Sequence, residues 1–219
     1  MTMTRDTLRL RRQMIRTCRT LRDNGYFIGT WGNMAIRVED GLLVTPTRLG
    51  YDAMRPGDLV VVSPDGRIAK GSRLPSSETG LHRLVLRRRP DFGASLHTHS
   101  PYASCMAAMH QTIPVVTEEM SQILGGEARC SRYVPAGRHK AFAAAVSQAL
   151  GLRGNAALVA NHGAVVIGRD LDEAVAAAQV LEKAALIYLI ARTAGKCHVI
   201  PPGLVSEERD RYIYRYGKE

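Results

Sequence analysis

Three short strand-like stretches, Met34–Val38, Leu42–Thr45 and Leu59–Val62, follow one another with no helix between them. Asp40-Gly41, Pro56-Gly57 and Pro64-Asp65-Gly66 supply the turn chemistry around them. A helix precedes the group, from about Thr7 to Asp23. In it Met14, Ile15, Cys18 and Leu21 form one apolar stripe among arginines, and Asn24-Gly25 stops it. Downstream, the pattern predicts a helix from Ser77 to about Arg88, ended by Pro90, then a strand over Gly93–His99 and a helix over Pro101–Met109. Ala141–Leu150 reads as a helix, and Ala156–Val159 and Ala164–Ile167 as strands. A last long helix runs from Leu171 to about Thr193. It opens on Asp170-x-x-Glu173, a capping box with Asp in the Ser/Thr place, and closes at Gly195. The tyrosine-rich tail from Arg211 onward shows no pattern that places it. Strands and helices do not alternate strictly. That argues against a Rossmann or barrel fold and for an α/β domain with a central, mainly antiparallel sheet and helices on its faces.

The 219 residues show no internal repeat, low-complexity tract or Pro/Ser-rich linker, so one domain over residues 1–219 is expected. An apolar share of 45% beside 23% charged residues excludes collagen-like and disordered classes. No uninterrupted apolar run approaches the ~18 residues of a membrane span. The N-terminus has charge without an apolar stretch behind it, so no secretory signal and no membrane partner is expected. Cys18, Cys105, Cys130 and Cys197 lie far apart with no C-x-x-C pair and read as reduced thiols of a cytoplasmic protein. The net charge is +10. The arginines are dispersed, only three Phe and one Trp are available for stacking, and no nucleic-acid motif is present. The excess charge reads as a solvated surface that steers anionic, phosphorylated small molecules.

The segment Leu96-His97-Thr98-His99 carries the most chemical information. Side chains two apart on a strand share a face, so His97 and His99 present two imidazoles together. His162, in the turn Asn161-His162-Gly163, and Glu78, at a helix start, are the candidates to join them. Three imidazoles and a carboxylate suit a catalytic zinc site. A lone His-x-His is common on solvated strands, however, so the site exists only where the fold brings His162 and Glu78 to the pair. His82, His110, His139 and His198 have no such spacing and read as surface residues.

Ser76 and Ser77 stand at the predicted helix start, where free N–H groups favour a phosphate, although ordinary N-capping explains them equally well. Two loops, Gly29-Thr30-Trp31-Gly32-Asn33 and Thr45-Pro46-Thr47-Arg48, offer similar donors, with glycines such as Gly32 permitting close backbone approach.

The ordered segments G-T-W-G-N (29–33), T-P-T (45–47), P-S-S-E (75–78), H-T-H (97–99) and N-H-G (161–163), with the long final helix, resemble the class II aldolase/adducin family across essentially the whole chain. The resemblance implies a three-layer mixed α/β sandwich. It implies zinc, with Mn2+ or Co2+ as alternatives, held by His97, His99 and His162, with Glu78 bordering or ligating the metal and shuttling a proton. It places a substrate phosphate on Asn33, Thr47, Ser76 and Ser77, and implies a homotetramer with active sites at subunit interfaces. The implied activity is cleavage of a ketose 1-phosphate to dihydroxyacetone phosphate and a short aldehyde. The substrate would be L-fuculose 1-phosphate or a 5-deoxy- or methylthio-pentulose 1-phosphate. L-Ribulose-5-phosphate 4-epimerase, a related dehydratase or decarboxylase, and a non-catalytic adducin-like module are the alternatives.

Two positions depart from the pattern. The family's aldolases place Gly after T-P-T, whereas Arg48 stands here and either adds a phosphate contact or points away. They also take a proton-donating tyrosine from a neighbouring subunit shortly after Ile-Pro. Here Ile113-Pro114 leads into Val115 to Met120 without one, leaving Glu119 or Glu118 for the role. Tyr216 fits the family's tail tyrosine, in competition with Tyr212 and Tyr214.

Overall fold

Side chains along β1 (Asn33–Val38) alternate between two cores: Met34 and Ile36 enter one and Ala35 the other. The computed structural model, which describes residues 5–217, joins β1 to seven further strands. These are β2 (Gly41–Val44), β3 (Val60–Val62), β4 (Ile68–Lys70), β5 (Ala94–Thr98), β6 (Arg129–Cys130), β7 (Ala156–Val159) and β8 (Gly163–Gly168). They form one sheet in the order β4-β3-β2-β1-β5-β8-β7-β6. Every ladder is antiparallel except β6–β7.

Helices cover both faces. α1 (Arg5–Asp23), α3 (Pro101–Ala108), α5 (Leu171–Ala194) and Val205 of α6 (Pro202–Tyr214) share one core with Leu96 and Val166. α2 (Thr79–Arg88) and α4 (His139–Leu150) share the other with Val165 and Ile167. The result is the expected three-layer sandwich. Fully burying a Leu- or Met-sized side chain contributes about 1.5–3 kcal/mol, so this layering fixes the strand register. In β5 it sends Ala94 and Leu96 to the first core and turns Ser95 and His97 toward α2.

Several boundaries differ from the sequence pattern. α2 begins at Thr79, because the Ser76 carbonyl accepts both the N–H and the hydroxyl of Thr79 in a preceding turn. Residues 211–214 of the tail that showed no pattern form the end of α6, which buries only Val205 and therefore lacks an apolar period; Pro202 opens it. Residues 1–4 and 218–219, part of the expected domain span, lie outside the described residues. α5 has the length and hydropathy of a membrane-crossing helix, but its Ala177, Leu181 and Ala184 lie in the first core, packed with β8, β5 and α3. All four cysteines are free, and burial pushes the Cys18 thiol up to about 12.

Candidate metal and phosphate site

Antiparallel pairing of β1 with β5 sets Asn33 directly opposite His97. The β7–β8 hairpin, whose ladder closes at Val159 and Gly163, carries His162 in its tight loop next to the end of β5. That approach requires Gly163: a Cβ there would lie 2.2 Å from the Thr98 carbonyl oxygen. His99 sits just past β5, its backbone N–H donating to the Tyr26 carbonyl at 2.8 Å. Glu78 occupies the position just before α2, its side chain left free of any capping bond. The strand pair, the hairpin loop and the helix start thus converge at one end of the sheet.

There the three imidazoles meet. Ring centroids are separated by 4.6 Å (His97–His99), 4.9 Å (His97–His162) and 5.0 Å (His99–His162). One nitrogen from each lies within 4.8 Å of the others, as ligands of a single ion must. Glu78 borders the group, with Oε1 3.2 Å from His162 Nε2 and Oε2 3.4 Å from His97 Nε2.

The protonation pattern tests whether a cation fits. Burial drives His97 toward its neutral form and lowers His99 to about 3, with the neighbouring imidazoles adding to the effect on His99. His97 Nδ1 lies 2.9 Å from the Ala164 carbonyl oxygen, an acceptor, so the ring hydrogen resides on Nδ1. Nε2 is then a lone pair, buried and without a hydrogen-bond partner. Burial also opposes ionisation of Glu78, but the His162 ring and the Asn33 amide, which hydrogen-bond its oxygens, hold the carboxyl well below the usual carboxylate range. A buried lone pair facing a carboxylate is unfavourable unless a cation stands with them. The donor set fits a divalent metal, and the second-shell bond from His97 Nδ1–H to a carbonyl is the kind that orients a metal-binding imidazole.

A cavity of about 470 Å³ opens beside the histidines. All six residues expected at a phosphate line it: Gly32, Asn33, Thr47, Arg48, Ser76 and Ser77; Glu78, His99 and His162 line it too. Among the described residues, Ser77 and Arg48 make no side-chain hydrogen bond or ion pair, so their donors are free. Arg48 has a φ of 57°, a left-handed conformation uncommon outside glycine. Ser76 both braces the turn before α2 and lines the cavity: its Oγ accepts from the Glu78 N–H at 3.2 Å, leaving its own hydrogen to donate.

Not every expected residue reaches this cavity. Glu119 is half-buried outside the cavity and paired with Lys183 at 2.5 Å, and Tyr216 is exposed just past α6, its ring 5.6 Å from that of Tyr212. Sequence reasoning also misplaced one residue. His82, read as a surface histidine, is fully buried between Ser95 and Asn33. Its signal was the spacing: four residues after Glu78, it shares that side of α2.

The family profile described as Class II Aldolase and Adducin N-terminal domain matches residues 12–189. The chain belongs to this family. Among its class II aldolase relatives is the 5-methylthioribulose-1-phosphate/5-deoxyribulose-1-phosphate aldolase of Rhodospirillum rubrum. It is 31% identical over 207 residues, covering 94% of this chain and 90% of that protein. The 5-deoxy-D-ribulose 1-phosphate aldolase of Bacillus thuringiensis serovar kurstaki is 33% identical over 180 residues, covering 81% and 83%. Among solved structures, an L-fuculose 1-phosphate aldolase superimposes with a TM-score of 0.89 at 25% identity, covering 97% of this chain and 98% of that one. Class II aldolases are metal-dependent, and His97, His99 and His162 form a triad able to hold a metal ion.

Proposed function

We propose that the chain is a zinc-dependent aldolase that cleaves a 5-deoxy- or 5-methylthio-pentulose 1-phosphate to dihydroxyacetone phosphate and a short aldehyde. The observation that carries this reading is the orphaned lone pair on His97 Nε2, buried beside two more imidazoles and a carboxylate at the wall of a donor-rich cavity. The named relatives supply the substrate class: two of them act on pentulose 1-phosphates.

His97, His99 and His162 would hold the ion, with Glu78 at its border. When bound, zinc supplies Lewis-acid polarisation of a substrate carbonyl. The chain's own groups do the rest. Ser76, Ser77, Thr47, Asn33 and the backbone at Gly32 hold the phosphate, and Arg48 adds the cation that a dianion needs. The C4 hydroxyl gives up one proton to a base and the C3–C4 bond breaks to release the aldehyde; Glu78, a carboxylate at rest, takes up one proton from solvent and delivers it to C3, while the base returns its proton to solvent, so atoms and charge balance. Glu119 and Tyr216 do not line the cavity of their own chain. In a homotetramer of the family's kind they are the groups available to a neighbour's site, where either takes the C4 hydroxyl proton. The enzyme works in the cytoplasm.

The reading is tested by offering zinc-loaded protein 5-deoxyribulose 1-phosphate, L-fuculose 1-phosphate and L-ribulose 5-phosphate. Dihydroxyacetone phosphate release is expected to be fastest from the first. Preference for fuculose 1-phosphate would overturn the pentulose assignment, and conversion of ribulose 5-phosphate to its 4-epimer without cleavage would overturn the aldolase.

A further inference from the structure

His82 is a buried ionisable group that the proposed reaction leaves unused. It is fully buried, with Nδ1 2.9 Å from Ser95 Oγ and Nε2 2.6 Å from Asn33 Oδ1. Asn33 in turn donates from Nδ2 to Glu78 Oε2 at 2.7 Å. Ser95 lies on β5 two residues before His97, and Asn33 pairs opposite His97 on β1. The chain of hydrogen bonds therefore runs through the elements that build the metal and phosphate site.

Its direction follows from chemistry. An ionised carboxylate only accepts, so the nitrogen of the Asn33 amide faces Glu78. The amide oxygen then faces His82, and Nε2 must carry the imidazole hydrogen. Nδ1 is left as a lone pair that accepts from the Ser95 hydroxyl. Burial keeps the ring neutral, with its pKa lowered to about 4, so the tautomer is the only choice at issue. The opposite tautomer would turn the amide oxygen against the Glu78 carboxylate and toward the cavity that Asn33 lines.

We infer that His82 is a positioning residue: as the Nε2–H tautomer, set by Ser95, it locks Asn33 with its NH2 turned to Glu78 and to the substrate phosphate. The phosphate half of this statement rests on the proposed aldolase reading; the tautomer half does not. One amide hydrogen goes to Glu78, and the other is left for a phosphate oxygen. Without His82 the amide is free to rotate, and both contacts suffer together.

Two measurements on the full chain test it. In histidine-15N-labelled protein, long-range 1H–15N correlations should show a neutral Nε2–H imidazole that disappears in His82→Gln. An Nδ1–H tautomer at that resonance would overturn the inference. In the aldolase assay, His82→Leu should lower kcat by roughly 10–100-fold, the usual cost of losing an outer-shell partner. His82→Gln, whose amide can still donate to Asn33 Oδ1, should recover most of that loss. Equal losses in both variants at unchanged thermal stability would contradict it. Should His82→Leu fail to fold, the tautomer and the Gln variant still decide. Should wild-type protein cleave no ketose phosphate, the aldolase reading falls while the tautomer measurement still judges the role of His82.

Discussion

His97 faces Glu78 with a lone pair, its Nε2 3.4 Å from Oε2, because the ring hydrogen is committed to the Ala164 carbonyl. Two acceptors at that distance, the His97 nitrogen fully buried, define a cation site more sharply than the count of histidines does. The central variant is His97→Ala. Purified wild-type protein should carry bound divalent metal by elemental analysis, and His97→Ala should lose it together with activity. Stoichiometric zinc and full turnover in the variant would remove His97 from the site.

Glu78 separates holding the metal from moving the proton. Glu78→Gln keeps the volume and an acceptor oxygen but cannot exchange a proton, so kcat should fall by roughly 100–10,000-fold, the range for a general acid–base group. Zinc content should stay unchanged. Loss of zinc in this variant would instead make Glu78 an essential ligand.

Arg48 is where this chain departs from its family's glycine, and its left-handed backbone gives the substitution two readouts. Arg48→Gly removes a conformational cost on the order of 1 kcal/mol, so the protein should melt at a higher temperature. The same change removes the cation beside Ser77 and should raise KM for the phosphorylated substrate. A higher melting temperature with unchanged KM would show that the guanidinium points away from the phosphate.

How much of this was legible beforehand differs from residue to residue. His97 and His99 were readable because strand periodicity alone pairs them, and the layered antiparallel fold followed from strands too close together for helices to intervene. Whether His162 and Glu78 joined them depended on the β5–β8 ladder and the start of α2, contacts that no local pattern encodes. His82 was misread because it has no His-x-His spacing to another histidine, and spacing was the signal used. Only the tertiary fold shows that Ser95 and Asn33 wait for it. α6 was missed for the opposite reason: it buries too little to leave a period.

The buried neutral His82 also shapes the pH dependence of stability. Its folded pKa, about 4, lies below the ordinary 6.5, so between these values the unfolded chain binds more protons than the folded one. Stability contributed by keeping it neutral is fully present above about pH 6.5 and is lost as pH falls toward 4, a span worth on the order of 3 kcal/mol. Thermal melts of metal-free protein between these limits should therefore drop steeply with acid. His82→Gln should show a shallower slope, and an identical slope would contradict the assignment.

Gly163 should tolerate no side chain. Gly163→Ala would drive a Cβ to 2.2 Å from the Thr98 carbonyl oxygen, costing about 1–3 kcal/mol or more and displacing His162. A lowered melting temperature together with weakened zinc binding is the expected pair of outcomes.

The most direct measurement is a zinc titration of chelator-stripped protein, following release of dihydroxyacetone phosphate from 5-deoxyribulose 1-phosphate. Activity should be absent without metal and rise in proportion to bound zinc, levelling at one ion per chain. Full cleavage by the stripped protein, or none once the triad is filled, would contradict the account.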